Sequence, residues 1–180
     1  MEDASISSFG SLSEILTDLA ELDPNMRGAF SLDNTDVFKE TLATELGVNI
    51  TDEELRSCKS LDDLTRVVYS KLEVDASGNS MIDVFTQIES IAKSELHHSV
   101  HLRWFAEWRE YDSSGNWFTK PDWLDYFEMF DRIREELGAD LGVTTKSFEQ
   151  MPLTVGETVK RVWRLRLANA SSQSTTGINK

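Results

Sequence analysis

The stretch PDWLDYFEMFDRIREELG, Pro121–Gly138, decides how this chain is read. Leu124, Phe127, Phe130, Ile133 and Leu137 recur at intervals of three and four, the spacing of one face of an α-helix. Asp122 is placed to cap the start, and Gly138 to end the last turn in a left-handed conformation. At the head of this helix stands Trp123, a large aromatic whose role has to be explained.

The same grammar recurs along the chain. Phe38, Leu42 and Leu46, with Val37 alongside, predict a helix that Gly47 stops. TDEE at Thr51–Glu54 has the form of a capping box and predicts a short helix. SLDD at Ser60–Asp63 opens another, carrying Leu61, Leu64, Val67, Val68 and Leu72. TVGE at Thr154–Glu157 precedes TVKRVWRLRL in the same way. Further helices are expected over 11–22, 81–96 and 100–111. Only three prolines and nine glycines punctuate 180 residues, and no segment alternates with period two. The expected class is all-α.

The chain also repeats itself. SLDNTDVFKETLATELG (31–47) and WLDYFEMFDRIREELG (123–138) both begin x-Leu-Asp and end Glu-Leu-Gly. Ser31 pairs with Trp123, Leu32 with Leu124 and Asp33 with Asp125, with one extra residue inside the first helix. Each is followed by a loop and a capped final helix, SLDDLTRVVY (60–69) and TVGETVKRVW (154–163). Residues 75–80 lie in the turn-rich EVDASGNS and mark a boundary. The expected organisation is two small helical bundles, 1–74 and 75–168, and a polar flexible tail, 169–180.

This pattern resembles the acyl carrier protein family, whose hallmark is Asp-Ser-Leu at the start of the second helix, continuing Asp-x-x-Glu-Leu. DWLDYFEMFDRIREELG matches that helix through Asp122, Leu124, Asp125, Glu128 and the closing Glu-Glu-Leu. LTVGETVKRVW is similar to the family's last helix. The first half matches through SLD, ELGVNITDEEL and SLDDLTRVV. The resemblance covers roughly 25–72 and 120–167 and implies two four-helix-bundle units of carrier type. It further implies 4′-phosphopantetheine on a serine at the helix head, where backbone N–H groups and the helix dipole favour a phosphate. Neither half keeps the hallmark intact. In the first, Phe30 replaces the aspartate but Ser31 remains, either as the attachment residue or as a turn or capping serine. In the second, the position is Trp123. Indole has no nucleophilic oxygen, so no phosphodiester forms there. Trp123 either covers the groove where a carrier's arm would lie or belongs to a core or interface with Trp104, Phe105, Trp108, Tyr111, Trp117, Phe118, Tyr126, Phe127 and Phe130.

Charge bears on partners. The net charge is −14. Residues 1–74 hold 16 acidic and 6 basic side chains, and residues 75–180 hold 16 and 12. Such a field repels nucleic acid and anionic membranes and attracts basic protein surfaces. The resemblance assigns partner recognition to the second helix of each unit. The candidate partner-binding residues are therefore Asp33, Asp36, Glu40 and Glu45 in the first half, and Trp123, Asp125 and Glu128 in the second. No apolar run is long enough to span a membrane. The start, MEDASISSFG, lacks the pattern of a secretory signal, so a cytoplasmic protein is expected.

The functional expectation is a non-catalytic carrier or a cargo-less interaction module that docks on a basic partner or an acyl-handling enzyme. The alternative is a degenerate EF-hand calcium protein. DASGNSMIDVFT (75–86) and DSSGNWFTKPDW (112–123) begin like calcium loops, 37 residues apart. Both lack the glycine at position 6, replaced by Ser80 and Trp117, and the bidentate glutamate at position 12, where Thr86 and Trp123 stand. His97, His98 and His101 are the only histidines and read as solvated. Cys58, the single cysteine, excludes a disulfide framework and reads as semi-buried and inert. Lys160, Arg161, Arg164 and Arg166 give the last helix a basic face suited to an acidic partner or the acidic first half. No metal site and no enzyme signature is expected.

Overall fold

A computed structural model describes residues 2–20, 35–96, 101–108, 123–143 and 154–175. Side chains are described from Ser8 in the first helix, from Leu124 in the sixth and up to Asn169 in the last. Seven helices are described: α1 Glu2–Ala20, α2 Thr35–Leu46, α3 Asp52–Ser57, α4 Leu61–Tyr69, α5 Met81–Glu95, α6 Trp123–Leu137 and α7 Val155–Thr175. The class is all-α, and among the described residues the only β pairing is two isolated bridges. The chain forms two compact units, Met1–Val74 with Ser80–Ile82, and Asp75–Asn79 with Asp83–Lys180.

In the first unit α1 packs on α4 and, less extensively, on α2. Its core joins Leu12, Ile15, Leu16 and Leu19 of α1 to Phe38, Leu42 and Leu46 of α2 and to Leu64 and Val68 of α4. Phe9 meets Tyr69 edge-to-face at 6.0 Å. α1 begins at Glu2, upstream of the residue-11 start expected from sequence. Three of the capping signals operate, at Thr51, Ser60 and Thr154, while Asp122 lies outside the described residues. Thr51 Oγ1 accepts from the Glu54 N–H at 3.2 Å while Glu54 Oε2 accepts from the Thr51 N–H at 2.9 Å. Ser60 Oγ accepts from the Asp63 N–H at 3.1 Å, and Thr154 Oγ1 from the Glu157 N–H at 3.2 Å.

The two units repeat at the level of buried positions. α2 ends at Gly47 with φ +69° and α6 at Gly138 with φ +65°. After each glycine the pattern is buried, exposed, buried: Val48, Asn49, Ile50, and Ala139, Asp140, Leu141. Counting back from the glycines, buried Phe38, Leu42 and Leu46 coincide with buried Met129, Ile133 and Leu137. No gap is needed here, so the extra residue of the first copy lies upstream of Phe38. Counting forward from the caps Ser60 and Thr154, buried Leu64, Thr65 and Val68 coincide with buried Thr158, Val159 and Val162.

Several expectations are corrected. The helix expected over 100–111 is absent from 101–108. Leu102, Trp104, Ala106 and Trp108 are buried while His101, Arg103 and Phe105 are exposed, so this segment alternates inside and outside. Its carbonyls serve another element. Trp104 O accepts the Gly156 N–H at 2.8 Å and Ala106 O the Val155 N–H at 3.0 Å, satisfying the first turn of α7. A helix over 101–108 would turn these carbonyls along its own axis. On α6 the buried stripe is Tyr126, Met129, Phe130, Ile133 and Leu137, whereas Leu124 is 48% exposed and Phe127 half-buried. Val37 is likewise 55% exposed on α2. α7 runs through Thr175, into the stretch 169–180 expected to be tail. Nothing from Ala168 to Thr175 breaks a helix, and the next glycine is Gly177.

Candidate partner-binding face and its surroundings

α2 presents one wet face and one dry face. Phe38, Leu42 and Leu46 point into the core. Asp36, Val37, Glu40 and Thr44 are exposed and, at 100° per residue, share the opposite side. Two carboxylates one turn apart thus lie beside an exposed valine. Asp36 is 89% exposed and pairs with Lys39 at 2.9 Å. Lys39 also reaches Asp52 at the start of α3, tying the two helices together. The hydrogen bonds to Asp52 and then Asp36 raise the Lys39 pKa, and Lys39 in turn lowers that of Asp52. One ammonium between two carboxylates leaves a net negative charge. Glu45 is half-buried at the edge of this face.

Behind the face, Glu54 carries both the α3 cap and an ion pair with Lys71 at 2.8 Å. The hydrogen bond from Lys71, then that from the Thr51 backbone, lower its pKa to about 2. Cys58 is buried, and its thiol donates to Glu54 O at 3.3 Å. Burial, with help from Asp63, pushes the thiol pKa up, which is the opposite of a reactive cysteine.

Of the sequence-derived site residues, Asp36, Glu40 and Glu45 belong to α2, with Asp36 and Glu40 on its outward strip. Ser31 and Asp33 lie outside the described residues. On α6, Glu128 is exposed and Asp125 half-buried. Trp123 is the first residue of that helix, and its side chain lies outside the described ones.

Among the described aromatic residues of the second unit, Trp104, Trp108, Tyr126 and Phe130 are buried, whereas Phe105 is exposed; Trp117, Phe118 and the Trp123 side chain lie outside the described residues. Trp104 and Trp108 are fully buried. Trp104 lies tilted against Phe85 with centroids 6.0 Å apart, and Trp108 meets Phe130 edge-to-face at 6.0 Å. The Trp108 indole donates to Thr158 Oγ1 at 2.8 Å, and Tyr126 Oη donates to Trp108 O at 2.9 Å. Polar tips and apolar bodies are thus both satisfied, which is how buried Trp and Tyr are tolerated. The partner of Trp108 is fifty residues away in sequence, beyond the reach of any local pattern.

The first calcium-like loop has other work. Asp75 Oδ1 accepts the N–H groups of Ser77 at 2.8 Å and Asn79 at 3.0 Å, and Oδ2 accepts Arg166 at 2.9 Å. Burial opposes the charge on Asp75, but those backbone bonds and Arg166 outweigh it and hold the pKa below the usual carboxylate range. The acid that a calcium loop needs at position 1 is already neutralised by a guanidinium. The second loop, through residue 122, lies outside the described residues, as do His97 and His98. His101 Nδ1 stands 3.4 Å from Glu89 Oε1, which also accepts the Leu102 N–H at 3.2 Å. Among the described residues no three His, Cys, Asp or Glu side chains gather to hold a metal, and no helix is long and apolar enough to cross a membrane.

No protein-family model, no curated protein and no solved structure matches the chain.

Proposed function

We propose that this chain is a non-catalytic, acyl-carrier-like protein that docks on a basic partner surface through the outward face of α2. The observation carrying this reading is the repeated unit. In each half an amphipathic helix closes on a left-handed glycine, and a buried-exposed-buried triplet and a capped final helix follow, with the same positions buried. The order of helix, loop and capped final helix is the one on which the sequence's resemblance to the carrier family rests. The acidic strip of Asp36, Val37 and Glu40 opposite the core supports the docking role, since charge complementarity of this kind steers association and fixes orientation.

Within this reading the first unit carries phosphopantetheine on Ser31, and the second, with Trp123 at the equivalent place, is a cargo-less partner module. The test is intact mass after incubation with coenzyme A and a phosphopantetheinyl transferase. The expected result is addition of one phosphopantetheine, lost in Ser31→Ala. No addition in the wild type removes the carrier role and leaves the interaction role. That role is tested by pull-down on a basic acyl-handling enzyme, with Asp36→Lys/Glu40→Lys expected to abolish capture.

A further inference from the structure

α7 carries a face opposite in sign to that of α2. Arg161 and Arg164 are exposed, and the helical spacing puts them on one strip with Glu157 and Ala168. Half-buried Leu165 and Leu167 border the strip, one on each side, as does half-buried Lys160. Elsewhere arginines face carboxylates: Arg56 with Asp52, Arg66 with Asp62, Arg132 with Glu95 and Glu136, Arg134 with Asp131, and Arg166 with Asp75. Among the described residues Arg161 and Arg164 have no such partner, and Glu157 one turn earlier does not reach Arg161 within ion-pair distance. Two uncompensated guanidinium groups one turn apart, on a protein of net charge −14, form a local positive site in a negative field.

The chain itself displays the complement. Asp36 and Glu40 are also one turn apart, with exposed Val37 to one side of them, as Leu165 borders the α7 strip on one side. Arginine pairs such carboxylates with fixed geometry. We propose that α7 of one copy docks on α2 of a second copy, through Arg161 and Arg164 against Asp36 and Glu40. This rests on the reading of α2 as a docking face and names one occupant for it, a second copy of the chain. The contact is heterologous, because each copy offers a different surface. A pair held by one such contact has one further α2 and one further α7, and association stops at the dimer only where these two also meet. At physiological ionic strength the screening length of about 8 Å mutes the repulsion of the whole acidic bodies and leaves the contact pairs.

Sedimentation velocity of the full chain over a wide concentration range at physiological salt tests this. The weight-average sedimentation coefficient is expected to rise with concentration. It should stay at the monomer value in Arg161→Glu/Arg164→Glu and in Asp36→Arg/Glu40→Arg, each with an unchanged helical circular-dichroism spectrum. Mixing the two reversed variants in equal amounts restores complementary faces and should restore association. The milder Arg161→Ala/Arg164→Ala serves if a reversed variant misfolds, and it too should remain monomeric. A wild type that is monomeric throughout, or association that survives either reversal, overturns the proposal. Phosphopantetheinylation of Ser31 and capture by a basic enzyme do not depend on self-association. Their persistence beside a monomeric chain would leave the proposed function standing.

Discussion

Gly156→Ala is the sharpest test of the packing that holds α7 in place. A Cβ added at Gly156 would lie 2.6 Å from Trp104 Nε1, 2.7 Å from Cε2 and 2.9 Å from Cδ1. Ordinary contact begins near 3.4 Å, so the ring and helix must separate by most of an ångström. The ring has nowhere to go. Trp104 is fully buried, lies against Phe85, and its carbonyl accepts the Gly156 N–H at 2.8 Å. Overpacking a tight core costs about 1–3 kcal/mol. Lengthening the backbone bond adds about 1 kcal/mol. Alanine's helix preference over glycine returns up to about 1 kcal/mol, and less in the first turn. The expected net loss is about 1–4 kcal/mol. Urea denaturation followed by tryptophan fluorescence should show a lower midpoint with an unchanged slope. Trp104→Leu combined with Gly156→Ala should cost less than the sum of the single changes, because the clash is gone. A Gly156→Ala protein as stable as the wild type would refute the packing argument.

Thr158→Val keeps the shape but leaves the buried Trp108 indole N–H without its acceptor at 2.8 Å, and should lower stability by about 1–3 kcal/mol in the same melt. Gly47→Ala places a Cβ in the left-handed region at φ +69°, with open space around it, so the cost is conformational, about 1–2 kcal/mol by denaturation. Glu54 has a folded pKa of about 2 against an ordinary 4.5, so its stabilising effect is complete above pH 4.5 and is lost as pH falls toward 2. Lys71→Gln should raise the Glu54 pKa toward its ordinary value, as read by carboxyl NMR titration; an unmoved titration would show that the Thr51 bonds act alone.

The sequence by itself determined what is local. The all-α class follows from apolar spacing of three and four. Thr51, Ser60 and Thr154 cap helices because a hydroxyl three residues ahead of an N–H needs only the chain between them. Gly47 and Gly138 end helices because only the backbone at one position is in question. The acidic strip Asp36–Glu40 was legible too, since helical periodicity places it once Phe38, Leu42 and Leu46 are known to be inside. What tertiary structure decided concerns partners far apart in sequence. Residues 101–108 have helix-compatible composition, yet they form no α-helix: a turn closes from the Ala106 N–H to Arg103 O, and the carbonyls of Trp104 and Ala106 go to the first turn of α7. An aromatic-rich run of eight residues fits a buried helix as well as an irregular segment, so periodicity alone does not separate the two. The α6 stripe faces inward through Tyr126 and Met129 and leaves Leu124 exposed, and the Tyr126 hydroxyl finds its acceptor on Trp108, eighteen residues back in sequence. Asp75 heads a loop that reads like a cation site, and only the fold brings Arg166, 91 residues on, to its second oxygen. A capping bond closes over three or four residues and can be read from them; a hydrogen bond or ion pair between elements depends on where the core sets each helix.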